Sequence, residues 1–362
     1  MPGPPPDTPF DATRAVLEAA VESRATPAVA IEVGRRAGAL WTAAFGRLSY
    51  DAASPPAAAT TVFDLASLTK VIATTSLAMR HSAAGRLDLE APLARYLAGW
   101  DEGDRRRITI RHLLDHSSGL PAHARLWREA QGRAGYARAL AALPLEAEPG
   151  VRSVYSDVGF MLLGFVLEDV AGEPLPSQMH ALTAELGLGA LTYLPPDSWR
   201  HITAPTEVDP WRGRLLIGEV HDENAAALGG AAGHSGLFGT VDAVGRFAQA
   251  MLAALAGDGQ RLASLPLAAE FARPSQVPGS SRALGWDTMR PTSSCGTRLS
   301  ASAIGHTGFT GTSLWIDPAQ DVYVALLSNR VHPTREHVAF RAVRPRVHDA
   351  VIEDLSSLPR TS

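Results

Sequence analysis

Apolar residues recur at helical spacing from Phe10 to Ser23, with Phe10, Val16, Leu17, Ala20 and Val21 along one face, and this predicts a helix. Two strand-like runs follow, 28–33 and 39–45, joined by a short Gly-containing turn that predicts a hairpin. A short, mostly apolar run over 62–66 leads into 67–80, where Leu68, Val71, Ile72, Leu77 and Met79 mark a second helix. From about 87 to 240 helix signals and loops dominate. One helix is expected over 124–143, with Gly132 and Gly135 weakening its middle, and a firmer one over 158–170, stopped by Ala171-Gly172-Glu173-Pro174. Another is expected over 241–255, ended by Gly257. After Arg282 the texture returns to strands, at 283–289, 303–306, 313–316 and 322–327. A helix over 344–355 closes the chain, with Pro345 in its first turn.

Strands at both ends of a helical middle predict an α+β fold in which the two ends share one sheet. The Pro-rich residues 1–9 are expected to be disordered. Residues 10–355 are expected to form a single domain: a mixed α/β lobe from about 10–86 and 260–355, and a helical and loop lobe from about 87–259. The active site is expected in the cleft between the lobes.

Composition removes several function classes. The 362 residues carry a formal net charge of −4, which gives no general attraction to nucleic acid or to an acidic membrane face. No window approaches ~18 uninterrupted apolar residues, so no membrane-spanning helix is expected. The N-terminal Met1-Pro2-Gly3-Pro4-Pro5-Pro6-Asp7 has neither a basic nor an apolar leader region, and a cytoplasmic location is the expectation for the chain as written. The single cysteine, Cys295, excludes an internal disulfide framework and a multi-Cys zinc site.

One compositional fact points to chemistry. Of the 33 basic residues all but Lys70 are arginine. Arginine can serve for surface charge, helix pairing and phosphate binding, but guanidinium keeps its proton above pH ~12. A buried ammonium can be pushed down to a usable pKa. The one position that keeps lysine is therefore a candidate for proton transfer. By chance, any given basic position would hold the sole lysine about one time in 33. Lys70 lies one turn after Ser67, on the same face of the expected helix, and Ser67 lies at the N-terminal end. A serine with a base within reach and unpaired backbone N–H groups around it is arranged as a nucleophile.

Two further segments carry candidate chemistry. Tyr155 precedes the 158–170 helix and can accept the Ser67 proton if Lys70 lowers its pKa; the plainer reading is a core tyrosine with Asp157 as the helix N-cap. His306-Thr307-Gly308-Phe309 lies between two strand-like runs, where a backbone N–H can face a developing oxyanion; the plainer reading is a Gly-rich hairpin with an exposed histidine. His221-Asp222-Glu223-Asn224 reads as a structural or substrate-facing loop, and His112-x-x-x-His116 lacks the glutamate a zinc protease needs, so no metal and no cofactor is expected. A Gly-x-Ser-x-Gly elbow, a phosphate loop and a dinucleotide fingerprint are all missing from the sequence.

Ser67-x-x-Lys70, Tyr155-Ser156-Asp157 and His306-Thr307-Gly308, in this order, resemble the serine β-lactamase and penicillin-binding protein superfamily. The closest branch is that of the class C β-lactamases, with their D-alanyl-D-alanine carboxypeptidase and family VIII esterase relatives. The segments 108–120 and 233–240 agree with it, and the likeness spans roughly residues 10–350. The resemblance implies a transpeptidase-like fold, an antiparallel sheet flanked by helices plus a mostly helical lobe. It implies that Ser67 is acylated, that Lys70 and Tyr155 act together as base and then acid, and that the N–H groups of Ser67 and Phe309 bind the oxyanion. Two departures stand out: the family's β-lactamases carry Lys-Thr-Gly where this chain has His306-Thr307-Gly308, and Tyr-x-Asn where it has Tyr155-Ser156-Asp157. A partly charged histidine and an ionised Asp157 that repels anions favour neutral or less anionic substrates, such as small esters or amides, over β-lactams. A β-lactamase or D-Ala-D-Ala carboxypeptidase is the alternative within the enzyme class, and a slowly deacylating penicillin-recognising sensor the alternative outside it. Oligomeric state is not legible.

Overall fold

The computed structural model describes residues 10–258 and 261–357; the Pro-rich residues 1–9 lie outside them. Helix α1 (Asp11–Glu22) leads into the antiparallel pair β1 (Ala28–Arg35) and β2 (Gly38–Gly46). Then come β3 (Phe63–Asp64), a π-helical stretch Lys70–Thr75 and its continuation α2 (Ser76–Ala83). The middle of the chain holds α3 (Ile110–Leu114), α4 (Gly132–Ala142), α5 (Asp157–Ala171) and α6 (Leu175–Leu186). It continues through β4 (Leu191–Tyr193), β5 (Val208–Asp209), β6 (Arg214–Leu215), α7 (Glu223–Ala227) and β7 (Leu237–Gly239). The last third supplies α8 (Val241–Ala256), α9 (Leu265–Ala272), β8 (Asp287–Thr288) and β9 (Ile304–Thr307). It ends with β10 (Ser313–Asp317), β11 (Val322–Ser328) and α10 (Phe340–Ser357).

Six strands form one antiparallel sheet in the order β2-β1-β11-β10-β9-β8, so the two ends of the chain do share a sheet, joined at β1 and β11. Both faces of its central strands are buried, and the period-2 alternation sorts them. Val29, Ile31 and Val33 of β1, with Val322, Val324 and Leu326 of β11, pack under α1 and α10. Ala28 and Ala30, with Tyr323, Ala325 and Leu327, face the larger core that includes Val244, Phe247, Ala248 and Met251 of α8. The sequence pattern put 241–255 with the helical lobe, but α8 packs on β1 and β11. It can come close because Gly245 has no side chain: a Cβ there would lie 1.8 Å from Glu32 Oε1.

Other boundaries move for identifiable reasons. The expected 124–143 helix is a 3₁₀ turn at Leu126–Arg128 followed by α4, broken where Gly132 adopts φ 62°. Only two residues of 283–289 pair as β8. Helix α10 begins at Phe340, so Pro345 lies inside it rather than in its first turn. Phe340 and Val343 are buried in the α1–α10 core, and that packing holds the extra turn.

A small sheet, β3-β7-β4, positions the site. Phe63 and Asp64 pair with Gly239 and Phe238, which ties the segment before Ser67 to the loop before α8.

Candidate active site

The chain turns sharply between β3 and the π-helical stretch. Asp64 organises the turn: its Oδ1 accepts from the Ala66 N–H at 2.8 Å and its Oδ2 from the His221 N–H at 2.7 Å. Ala66 is held at φ 47°, a left-handed conformation that costs a non-glycine residue about 1–3 kcal/mol. This bend presents Ser67 to the cleft. Its Oγ lies 3.0 Å from Lys70 Nζ and 2.9 Å from the Tyr155 hydroxyl. The π-helical turn that begins at Lys70 is an irregularity often found at functional sites.

Lys70 is fully buried, and three oxygens surround its Nζ: Ser67 Oγ, the His234 carbonyl at 3.0 Å, and Asp157 Oδ1 at 2.7 Å in an ion pair. Asp157 is free to make that pair because Ser156, not Asp157, caps α5, accepting from the Gly159 N–H at 3.1 Å. The second Asp157 oxygen lies 3.5 Å from Nδ1 of His123. Burial opposes its charge, yet Lys70 and His123 hold its carboxyl far below the ordinary range. Burial likewise pushes Lys70 down, but Asp157 and Tyr155 outweigh it and hold the ammonium above its ordinary value. Burial also raises Tyr155, an effect that Lys70 opposes and Asp157 reinforces. The expectation of a lysine poised to shed its proton is thus corrected by Asp157, and that of a lowered tyrosine mainly by burial, which outweighs Lys70. So is the expectation that Asp157 repels anions, because its charge is committed to Lys70 and His123.

The opposite wall is β9 and the turn after it. Thr310 Oγ1 donates to the Asp64 carbonyl and Thr312 Oγ1 to that of Leu65, pinning this turn beside Ser67. Gly308 is required there, since a Cβ would lie 2.0 Å from Thr312 Oγ1 and 2.7 Å from the Leu65 carbonyl. Among the described residues neither the Ser67 nor the Phe309 backbone N–H donates a hydrogen bond. Both residues line the same cavity. Thr307 lines the same cleft. His306 is buried rather than exposed, and burial, helped by Arg282 and Lys70, drives its pKa well below the ordinary value. Its Nδ1 bonds to the Thr307 carbonyl, and its burial overturns the plainer reading of an exposed hairpin histidine.

These groups line a cavity of about 620 Å³ that also reaches His221, Asp222 and Glu223. Sequence reasoning passed over several residues around it. His116, read only as half of a weak metal spacing, packs its ring 4.8 Å from Tyr155 and accepts the Ser156 N–H at Nδ1. Its neighbour in that spacing, His112, turns away to complete the capping box of α3 with Thr109. Arg282 stacks 5.0 Å from the Tyr155 ring. His234, whose carbonyl holds Lys70, is itself held by Asp222 at 2.8 Å. Arg330, Arg341 and Arg344 also line the cavity. In a chain with 32 arginines no local pattern singles these out.

The chain is similar to known proteins over most of its length. The Beta-lactamase family model matches residues 13–347. An Escherichia coli K12 protein named as a D-alanyl-D-alanine carboxypeptidase is 32% identical over 309 residues, covering 75% of this chain and 70% of that one. The N-acetylmuramyl-L-alanine amidase of Bacillus subtilis 168 is 32% identical over 303 residues, covering 75% and 68%. Among solved structures, EstCE1, a hydrolase with promiscuous acyltransferase activity, superposes with a TM-score of 0.75 at 23% identity, over 94% of this chain and 97% of that one. With that match over most of its length and an α+β, transpeptidase-like fold, the chain belongs to the β-lactamase family, a family of hydrolases.

Proposed function

We propose that the protein is a serine hydrolase that passes the acyl group of a small amide or ester to Ser67 and then to water. The observation that carries this reading is the Ser67 hydroxyl, held by both Lys70 and Tyr155 at the floor of the cleft. The names of the two curated relatives, a carboxypeptidase and an amidase of alanine-containing substrates, favour an amide of alanine as the natural bond.

The electrostatics divide the labour. Lys70 stays protonated against Asp157 and acts as a fixed positive charge. The reacting form is the one in which Tyr155 is a phenolate beside that charge. The phenolate takes the Ser67 proton as Oγ attacks the carbonyl carbon, and the N–H groups of Ser67 and Phe309 receive the oxyanion. As the C–N or C–O bond breaks, Tyr155 returns the proton to the leaving group. Water then repeats the cycle, giving its proton to Tyr155 and releasing the acid from Ser67.

The test compares turnover of p-nitrophenyl acetate, an N-acyl-alanyl amide and a chromogenic cephalosporin by wild type and by Ser67→Ala. Loss of ester and amide turnover in Ser67→Ala, by about 10³-fold or more, is expected. Ester turnover that survives the substitution would sink the assignment. Rapid cephalosporin cleavage would instead move the substrate class to β-lactams.

A further inference from the structure

Tyr155 has to lose its proton in a buried place where the two nearest full charges, Lys70 and Asp157, are paired at 2.7 Å and oppose each other. A second cation lies against the same ring. Cζ of Arg282 is 5.0 Å from the Tyr155 centroid, about as near as Lys70 Nζ at 4.9 Å. Arg282 belongs to the connection between α9 and β8, and the backbone on either side fixes its place. Its carbonyl accepts from the Ser275 N–H at 2.7 Å, and the Gly285 N–H donates to the Leu114 carbonyl at the end of α3 at 2.8 Å. Gly285, at φ 85°, allows a close approach to the π-helical stretch, since a Cβ there would lie 2.0 Å from Thr75 Oγ1. Trp286 then buries its ring against Phe247 of α8.

The guanidinium itself is weakly held. Among the described residues it donates no hydrogen bond, and its one ion pair, with Asp287, is long at 3.9 Å. That carboxylate is engaged elsewhere, accepting from Ser281 Oγ at 2.7 Å and from the Thr288 N–H at 3.1 Å. The side chain is 19% exposed and lines the cavity that holds Ser67. The other groups facing Tyr155 supply no positive charge in its place. His116, after α3, accepts the Ser156 N–H at Nδ1 and so carries no proton there. His306 of β9 lies 5.6 Å from the ring; burial, followed by Arg282, drives both histidines well below the ordinary value. Asp157, at the start of α5, is negative and shared between Lys70 and His123. Guanidinium keeps its proton at every pH at which the enzyme works.

We propose that Arg282 is a positioning residue for the reaction at Ser67: its guanidinium, set against the Tyr155 ring, favours the phenolate over the phenol and so supplies the charge that Asp157 withdraws from Lys70. The tyrosine proton leaves to solvent, the phenolate takes the Ser67 proton, and Arg282 neither gives nor receives one. An ionised phenol spreads its charge over the ring, so a cation near the ring centre attracts it more strongly than it attracts the neutral phenol. As a statement about catalysis this rests on the Ser67 reading; as a coupling between Arg282 and Tyr155 it does not.

The test titrates Tyr155 directly and measures turnover beside it. In Ser67→Ala protein, the ultraviolet absorbance of tyrosinate is followed against pH with and without Tyr155→Phe, and the difference isolates Tyr155. Adding Arg282→Gln should move that titration to higher pH by about one unit, the low end of the usual effect of an adjacent charge because Arg282 is partly exposed. Arg282→Lys, which keeps the charge, should leave most of it in place. In the Ser67 enzyme, Arg282→Gln should lower kcat/KM for p-nitrophenyl acetate near neutral pH by about tenfold, and Arg282→Lys should recover most of the loss. A Tyr155 titration that ignores Arg282→Gln overturns the proposal and leaves Ser67-dependent turnover, and with it the hydrolase reading, intact. A loss carried by KM on one substrate, with Tyr155 unmoved, makes Arg282 a substrate contact and overturns it too. An Arg282-dependent titration in a protein whose ester turnover survives Ser67→Ala keeps the coupling and removes the hydrolase reading.

Discussion

Asp157 decides the protonation states of the site, and it does so through one contact. Its carboxylate, 2.7 Å from Lys70 Nζ, is what keeps a fully buried ammonium charged. It also adds to the raised pKa of Tyr155. The active form requires Tyr155 without its proton, so kcat/KM for an ester should climb with pH across the neutral range and not level off below about pH 9. Asp157→Asn keeps the shape of the side chain and removes the charge. Burial of Lys70 then goes largely unopposed and its pKa falls, and Tyr155 loses one of the influences that raised it. The rising limb of the profile should move to lower pH by about 1–3 units, the usual effect of an adjacent opposite charge. A profile that superimposes on that of wild type would show that Asp157 does not set these proton affinities. At this scale the sequence announced Lys70 by its solitude among arginines and Ser67 by its spacing from it. It could not announce the sign of the lysine's pKa shift, because that depends on a contact across 87 positions of chain.

Helix α5 and the loop before β7 touch backbone to backbone, and this contact is what brings His234 to Lys70. Gly164 and Gly233 make it possible: a Cβ on Gly233 would lie 2.1 Å from the Phe160 carbonyl and 2.8 Å from the Gly164 nitrogen, neither of which can swing aside. Gly233→Ala should therefore push the loop off α5 and draw the His234 carbonyl away from Nζ. Destabilisation of about 1–3 kcal/mol is expected from overpacking, with a fall in kcat/KM of at least about tenfold. Gly172→Ala provides the contrast. Gly172 ends α5 at φ 71° with open space around it, so alanine there should cost about 1 kcal/mol and leave kcat/KM unchanged. Denaturant unfolding and ester turnover on both variants check the pair; equal activity losses would mean that the close approach does not serve Lys70. The 233–240 segment was visible in the sequence as a framework motif, but its partner was not. Strands of two and three residues such as β3 and β7 carry too few positions for a period to show. The longer runs of β1 and β11 were legible for the opposite reason: with both faces buried they read as near-continuous apolar stretches of eight and seven residues. The extra turn of α10 was hidden by Pro345, which as a local signal marks a helix start, whereas here tertiary burial of Phe340 and Val343 overrides it.

Across the whole molecule the histidines couple stability to pH. Six of the 12 have pKa values lowered by burial: His81, His112, His116, His306, His332 and His348, the last to about 3. Unfolding releases them to the ordinary value near 6.5, so below that pH the unfolded chain binds more protons than the native one. The stability they confer is complete above about pH 6.5 and is lost as pH falls toward their lower native values. His123 acts in the opposite sense, since Asp157 raises it, but it is a single group at the mouth of the cleft. The buried carboxyls of Glu32, Asp64 and Asp115 also oppose the loss, because burial raises them above the ordinary range and they take up protons in the native state as the medium turns acidic. For His348 alone the loss between pH 7.5 and 5.5 amounts to about 1.4 kcal/mol, and the buried His116 and His306 act in the same direction. Tm should therefore drop by several degrees over that interval. Replacing His348, which belongs to α10 and sets its ring against Ser313 of β10, away from the residues lining the Ser67 cleft, separates this effect from catalysis. His348→Gln should flatten the decline by one group's share while leaving the pH profile of ester turnover in place. A Tm that holds constant or rises from pH 7.5 to 5.5 would mean that these imidazoles accept protons without leaving the core.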